Sequence, residues 1–247
     1  MAVTYENLAR RAIGVQELFA CLSRIRAPRF SADHIAQCAL HLAELANQED
    51  LIWDHLAACK DAAGWNRALL SPRSFVLASS DDALLRVNVW SPTKPHSAFR
   101  DYERALYGYD LAHNHDFHLL SVGYFGPGAK TELYRFDPEE ADGSRPQRVE
   151  LARLGDAVLS KGSVIYYEKY ADVHVQREPS ALSLSINLLF RHETHERDQL
   201  VFDIERSTVL GTAPFSQRAR IARLAELTAV VSAAQSTQAN HHSREPS

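Results

Sequence analysis

His113-Asn114-His115-Asp116-Phe117-His118, followed closely by Gly123-Tyr124-Phe125-Gly126-Pro127-Gly128, is the stretch on which the reading of this chain turns. Three of the twelve histidines of the 247-residue sequence fall inside the first of these runs, beside apolar segments. In a β-strand, residues two apart project to the same face. A strand here sets His113 and His115 side by side and His118 on the opposite face. Metal binding by imidazole needs neutral nitrogens converging at about 2.0–2.2 Å from one ion. The pair supplies part of that geometry, and a third ligand must arrive from a neighbouring strand. His174 is the candidate, because it follows a strand and a turn and precedes the long apolar run Ala181 to Phe190.

Outward from this stretch, strand-like runs recur at short intervals. Ser74–Ala78 and Leu84–Trp90, split by Ser-Ser-Asp-Asp, read as a hairpin. Leu119–Tyr124, Thr131–Phe136, Val149–Leu154, Ser163–Glu168, Ala181–Phe190 and Leu200–Ile204 continue the series. Short strands with turn signals between them predict a mainly β barrel or sandwich. Residues 1–70 instead carry helical spacing. Tyr5, Leu8, Ala12, Val15, Phe19, Leu22 and Ile25 line one face of a first helix that Pro28 ends. Ser31 is the N-cap of a second with Ile35, Cys38, Leu42 and Leu45 on its apolar face, and Ile52, Leu56 and Cys59 mark a third. After about residue 210, a helix from Gln217 to Ala234 precedes a polar tail expected to be disordered.

Composition narrows the function classes. Hydrophobic residues make up 45 % and charged residues 23 %, as in an ordinary globular protein. A formal net charge of −4 gives no electrostatic case for nucleic acid or an anionic membrane as partner. No apolar run approaches the roughly 20 residues that cross a bilayer, and the N-terminus is too polar for a secretory signal. Three cysteines in helical patterns read as small reduced hydrophobes, so the expected location is the cytoplasm. Gly126-Pro127-Gly128 lacks a following helix and is no phosphate-cradling loop. The histidines of the helical region (His34, His41, His55) share no evident site, and His192 and His195 lie in a charged segment read as a solvated strand end.

The histidine stretch resembles the first motif of the cupin superfamily: His113 and His115 match its two histidines and Gly126 its closing glycine, while Gly108 is one residue off the opening glycine. Where that motif has a glutamate stands Leu119. The second cupin motif is only partly kept, with Gly155-Asp156 opening it and Tyr166 near the place of its histidine. The run from His174 through Pro179 to Ala181-Leu182-Ser183-Leu184 is similar to the thiol dioxygenase branch, whose cysteine dioxygenases hold iron with three histidines and no carboxylate. The resemblance covers roughly residues 74 to 205. It departs at Ser185 and Asn187, where those enzymes have a histidine and a tyrosine near the substrate, and it offers no clear match for their substrate-binding arginine, although Arg86 and Arg135 lie on strands.

The resemblance implies a cupin-type double-stranded β-helix barrel over residues 71–210, with a helical N-terminal extension and a C-terminal helix. It implies Fe(II) on His113, His115 and His174, and oxidation of a small-molecule substrate with O2. Tyr124 and Tyr166 are expected to act beside the metal if they point inward, with Tyr134 a further tyrosine of that kind. Asp116 and Glu168 are candidate acceptors for a ligand N–H. Two rivals are carried forward: a 2-oxoglutarate-dependent hydroxylase, which needs two histidines and a carboxylate, and a cupin that binds a ligand without turnover. The apolar helix faces leave open both inward packing and pairing into a homodimer.

Overall fold

The computed structural model describes residues 1–6, 8, 11–59, 69–71, 73–96, 98–191 and 196–213. His192, His195, the expected helix 217–234 and the polar tail lie outside the described residues.

Fourteen strands form two seven-stranded antiparallel sheets. Sheet A contains β1 (Val3–Tyr5), β2 (Leu69–Ser71), β3 (Ser74–Ser79), β4 (Ala83–Trp90), β6 (Leu119–Phe125), β10 (Val164–Tyr167) and β12 (Ser183–Phe190), in the order β1-β10-β6-β12-β4-β3-β2. Sheet B contains β5 (Ala112–His113), β7 (Lys130–Arg135), β8 (Gln147–Arg148), β9 (Ala152–Val158), β11 (Asp172–Gln176), β13 (Leu200–Asp203) and β14 (Thr208–Thr212), in the order β8-β14-β13-β5-β11-β7-β9. From β4 onward the chain passes repeatedly from one sheet to the other, which is the winding of the expected cupin-type barrel.

Three helices, α1 (Val15–Arg24), α2 (Ala32–Ala46) and α3 (Leu51–Ala58), back sheet A, and α2 lies across β6 and β10. Ser31 caps α2 as expected, its side chain accepting the His34 N–H at 3.2 Å. Ile35, Cys38, Leu42 and Leu45 share one core with Leu85, Val87, Leu120, Val122, Ile186 and Leu188 of the sheet. Each fully buried Leu or Ile contributes about 1.5–3 kcal/mol, so this face anchors the helical region to the barrel.

Four elements differ from the sequence reading. The first helix begins only at Val15; Val3–Tyr5 instead add a strand to β10, where the sheet edge satisfies their backbone. Tyr5 and Leu8 still pack on the shared core, which is why their spacing looked helical. Of the strand expected over Val149–Leu154 only Ala152–Leu154 is strand, at the start of β9; Val149–Leu151 link it to the short β8. A helix α4 (Arg100–Tyr107), polar on average and with no buried residue, was not anticipated. Finally, β11, which carries His174 in its middle, is a strand that the series of strand-like runs did not include.

Gly126, the glycine matched to the cupin motif, has φ +80°, and a Cβ there meets the Leu182 carbonyl oxygen at 2.1 Å. Both facts restrict the position to glycine. Among the described residues no helix is long and apolar enough to cross a membrane.

Candidate metal centre

The two sheets present opposite chemistry along the same strands. In β12, Leu184, Ile186 and Leu188 face the helices, while Ser185 and Asn187 face sheet B. In β4, Leu85 and Val87 face the helices while Arg86, Asn88 and Trp90 turn inward, and in β6 Leu120 and Val122 contrast with Ser121 in the same way. The inward residues line a cavity of about 60 Å³ between the sheets. A single water needs about 10–15 Å³, so a small molecule fits.

His113, His115 and His174 meet at this cavity, each offering a nitrogen within 4.8 Å of the others. The meeting is set by register. β5 and β11 are antiparallel neighbours in which His113 stands directly opposite His174, and the two Nε2 atoms are 3.2 Å apart. His115 reaches the cluster differently from the sequence expectation, because β5 ends at His113 and the chain then bends. Asn114 holds the bend, its Oδ1 accepting Leu200 N–H and its Nδ2 donating to the Tyr170 carbonyl, both at 2.6 Å. Tyr170 N–H in turn donates to the His115 carbonyl at 2.7 Å. The ring of His115 stacks on Phe117 with centroids 5.0 Å apart.

The nitrogens suit a metal ion. Donors about 2.1 Å from one centre stand roughly 3.0–3.4 Å apart in octahedral or tetrahedral arrangements, which brackets the His113–His174 separation. The Leu111 carbonyl, an acceptor only, holds the proton of His113 on Nδ1 at 3.0 Å and leaves Nε2 bare toward the cluster. Both nitrogens of His115 are buried without a partner, and a ligand bond satisfies one of them. Burial pushes the pKa of His113 down to about 4, with the Leu111 carbonyl opposing and Arg73 adding to the shift. Burial first, then the neighbouring imidazoles, hold His115 and His174 well below the ordinary histidine range. All three are neutral at pH 7, the form a metal binds.

Among the described residues no Asp or Glu lines the cavity, and Leu119 is a buried wall residue. The candidate acceptors are engaged elsewhere: Glu168 accepts from Arg135 at 2.6 Å and Asp116 from Gln199 at 2.5 Å. His118 lies on the other face, stacked on Phe30 at 3.9 Å and hydrogen-bonded to Tyr166 at 2.7 Å.

The two tyrosines expected at the metal do not point inward. Tyr124 belongs to the helix-facing core, where its hydroxyl reaches the Gln48 and Glu49 carbonyls and accepts Ile52 N–H at 3.4 Å. Tyr166 is spent on His118, and Tyr134 donates to Glu132 at 3.1 Å. Strand alternation explains all three: in β10 the odd positions turn inward, so Tyr167 lines the cavity and Tyr166 does not. The Tyr167 ring lies 4.8 Å from that of His174, and burial raises its pKa.

Sequence reading also missed Arg73, in the turn before β3, whose guanidinium sits 5.1 Å over the Trp90 ring. Arg86, noted only as a strand arginine, lies deep in the cavity. Burial, with Arg73 adding, pushes its pKa down to about 10, so it stays charged at pH 7. Above the cavity, Tyr107 and Gly108 bring in the end of α4. That helix is tied down by Arg104, which pairs with Glu178 and Asp110, and Arg177 donates to Asp110 at 2.6 Å and to Glu132 at 2.8 Å.

No protein-family model matches the chain, and neither does any curated protein. Among solved structures, one reported for the DMSP lyases RdDddP and RnDddQII aligns with 53 % of this chain and 52 % of its own, at 13 % identity and a TM-score of 0.31. The hydroquinone 1,2-dioxygenase PnpCD, in complex with Cd2+ and 4-hydroxybenzonitrile, aligns with 56 % of this chain and 71 % of its own, at 7 % identity and a TM-score of 0.32. The hydroquinone 1,2-dioxygenase of Sphingomonas sp. TTNP3, with 4-hydroxybenzoate bound, gives 56 %, 77 %, 7 % and 0.31 respectively. The chain thus spans about half the length of the first of these, and likeness at this level bears no weight on function. Fold and site together define a mainly β protein of two antiparallel sheets with a buried cluster of three histidines.

Proposed function

We propose that this protein is a non-haem Fe(II)-dependent oxygenase that oxidises a small molecule with O2 in the cavity between its sheets. The observation that carries the proposal is the convergence of three neutral imidazoles, their nitrogens within 4.8 Å of one another and the His113–His174 pair at the 3.2 Å that one ion needs, in a cavity whose described lining holds no carboxylate. Imidazole suits zinc, copper, iron and nickel; iron is preferred because the sequence resembles the three-histidine thiol dioxygenases. Held by His113, His115 and His174, iron would supply the redox chemistry that activates O2 toward a bound small molecule.

The chain's own residues do the rest. The Leu111 carbonyl fixes the His113 tautomer and ring orientation, the second-layer contact that metal-bound histidines ordinarily have. Leu119 and Leu159 keep the inner wall apolar and exclude water. The Tyr167 hydroxyl, held protonated by burial, donates its proton in a hydrogen bond to Thr131, whose own goes to Gln176 at 3.0 Å, and can turn it toward a bound substrate instead. Holding the reactants together removes the entropic cost of their encounter from the chemical step. The described residues of the cavity lining are without Asp or Glu and converge three histidines, which favours this reading over a 2-oxoglutarate-type site with two histidines and a carboxylate.

The test is metal analysis of protein purified without a histidine tag, followed by oxygen-electrode assays. Iron near one per chain in the wild type, falling more than tenfold in His174→Ala with the fold intact by circular dichroism, is the expected result. A folded wild-type protein that takes up no iron sinks the proposal.

A further inference from the structure

The cavity buries two positive charges that no carboxylate among the described residues offsets. Arg86 projects inward from β4, opposite Asn187 of β12 in the strand register. Arg73 enters from the turn before β3 and rests on Trp90. Among the described residues neither forms an ion pair with a carboxylate, and the cavity lining holds no Asp or Glu. Arg86 Nε, Arg73 Nη1 and Asn187 Nδ2 are buried donors without partners. A buried polar donor left unpaired is destabilising, and a buried charge more so. Leaving three together, beside a cluster of neutral imidazoles, is the arrangement of a site completed by an anion. The donors also divide between two places: Arg86 with Asn187 on the central strands, and Arg73 at Trp90. A guanidinium fork matches a planar carboxylate bidentately. Two separate forks therefore suit two carboxylates better than one tetrahedral anion.

We infer that the cavity accepts a small dicarboxylate, one carboxylate on Arg86 and Asn187 and the other on Arg73. The inference rests on the metal-site proposal only in taking this dianion for the substrate; the anion site itself does not need the metal. A divalent ion on the histidines adds two further positive charges, which strengthens the preference for a dianion.

Isothermal titration calorimetry on metal-loaded and metal-stripped full-length protein tests it, with malonate, succinate and glutarate as probes and propionate, butyrate and inorganic phosphate as controls. At least one dicarboxylate is expected to bind tenfold or more tighter than every control. Arg73→Gln is expected to reduce that ligand to the level of the monocarboxylates, and Arg86→Gln to abolish binding of both. Because each arginine is an uncompensated charge in the free protein, both variants are expected to melt at or above the wild-type temperature without ligand, the reverse of what a structural arginine gives. Arg86→Lys, which keeps the charge but not the fork, is expected to weaken dicarboxylate binding about tenfold and guards against misfolding of the glutamine variant. Equal binding of mono- and dicarboxylates, phosphate binding as tight as dicarboxylate, or wild-type selectivity in Arg73→Gln together with Arg86→Lys overturns the inference. A folded protein that takes up no iron when it is offered, yet selects dicarboxylates, sinks the oxygenase proposal and leaves this one standing. An iron-loaded protein without selectivity does the opposite.

Discussion

The two faces of sheet A are built from alternate residues of the same strands, yet they answer to different demands. The outer face, with Leu120, Val122, Ile186 and Leu188, is sealed by α1–α3 into the largest core of the molecule. The inner face, one residue away along each strand, carries Arg86, Asn88, Ser121, Ser185 and Asn187 at the cavity. A barrel whose interior served stability alone fills that space with branched apolar side chains. Here the helices supply the burial outside, which frees the inside to be polar, charged and only partly satisfied. The lesson is that the helical region is what allows the barrel interior to be used as a site.

The largest expected effect lies on the outer face. Ile186→Ala removes a fully buried side chain, and a loss of about 2–5 kcal/mol in denaturant unfolding is expected, with metal content per folded molecule unchanged. A loss below 1 kcal/mol breaks the claim that this face carries the stability. Next comes the pair Tyr124 and Tyr167. Tyr124→Phe removes a hydroxyl that ties the start of α3 to β6, costing about 1–2 kcal/mol of stability while leaving iron content and oxygen uptake at wild-type levels. Tyr167→Phe reverses the pattern, with stability little changed and turnover lowered. The same response from both tyrosines erases the distinction between the faces.

The smallest effect concerns pH. Burial, with Lys169 adding, depresses His118 from its ordinary 6.5 to about 4. Between those values the unfolded chain holds a proton on this ring that the folded chain refuses. Its contribution is therefore complete above pH 6.5, is lost as pH falls toward 4, and levels off below. Melting temperatures of wild type and His118→Gln from pH 7.5 to 4.5 should show a shallower acid decline in the variant. Parallel curves exclude His118 as a source of that decline.

Much of this was legible in the sequence. Period-two runs marked most strands of the barrel, and the three histidines brought together are the three that spacing and resemblance selected. The right pair was found on a partly wrong ground, since His115 depends on the Asn114-held bend and not on continued strand alternation. The strand that carries His174 went unmarked because Asp172-Val173-His174-Val175-Gln176 is short with polar ends, although it is buried throughout. The tyrosines failed for want of parity. The polar alternation of Ser183, Ser185 and Asn187 against Leu184, Ile186 and Leu188 already marked an inner face. Carrying that parity through the register to β6 and β10 selects Tyr167 over Tyr124 and Tyr166. Arg73 left no signal, because a turn residue gains its place only from the packing of Trp90 beneath it.

The pairing of His113 with His174 has one more consequence. These residues are 61 apart in sequence and become neighbours only when β5 and β11 zip together in sheet B. A loop of that size closes late among the contacts of a folding chain. The cluster is therefore absent from the unfolded ensemble, and whatever the three nitrogens hold is taken up by the finished barrel alone. Occupancy then acts as a ratchet on folding: each bound ion withdraws a molecule from the unfolding equilibrium, and apparent stability rises with the logarithm of its free concentration.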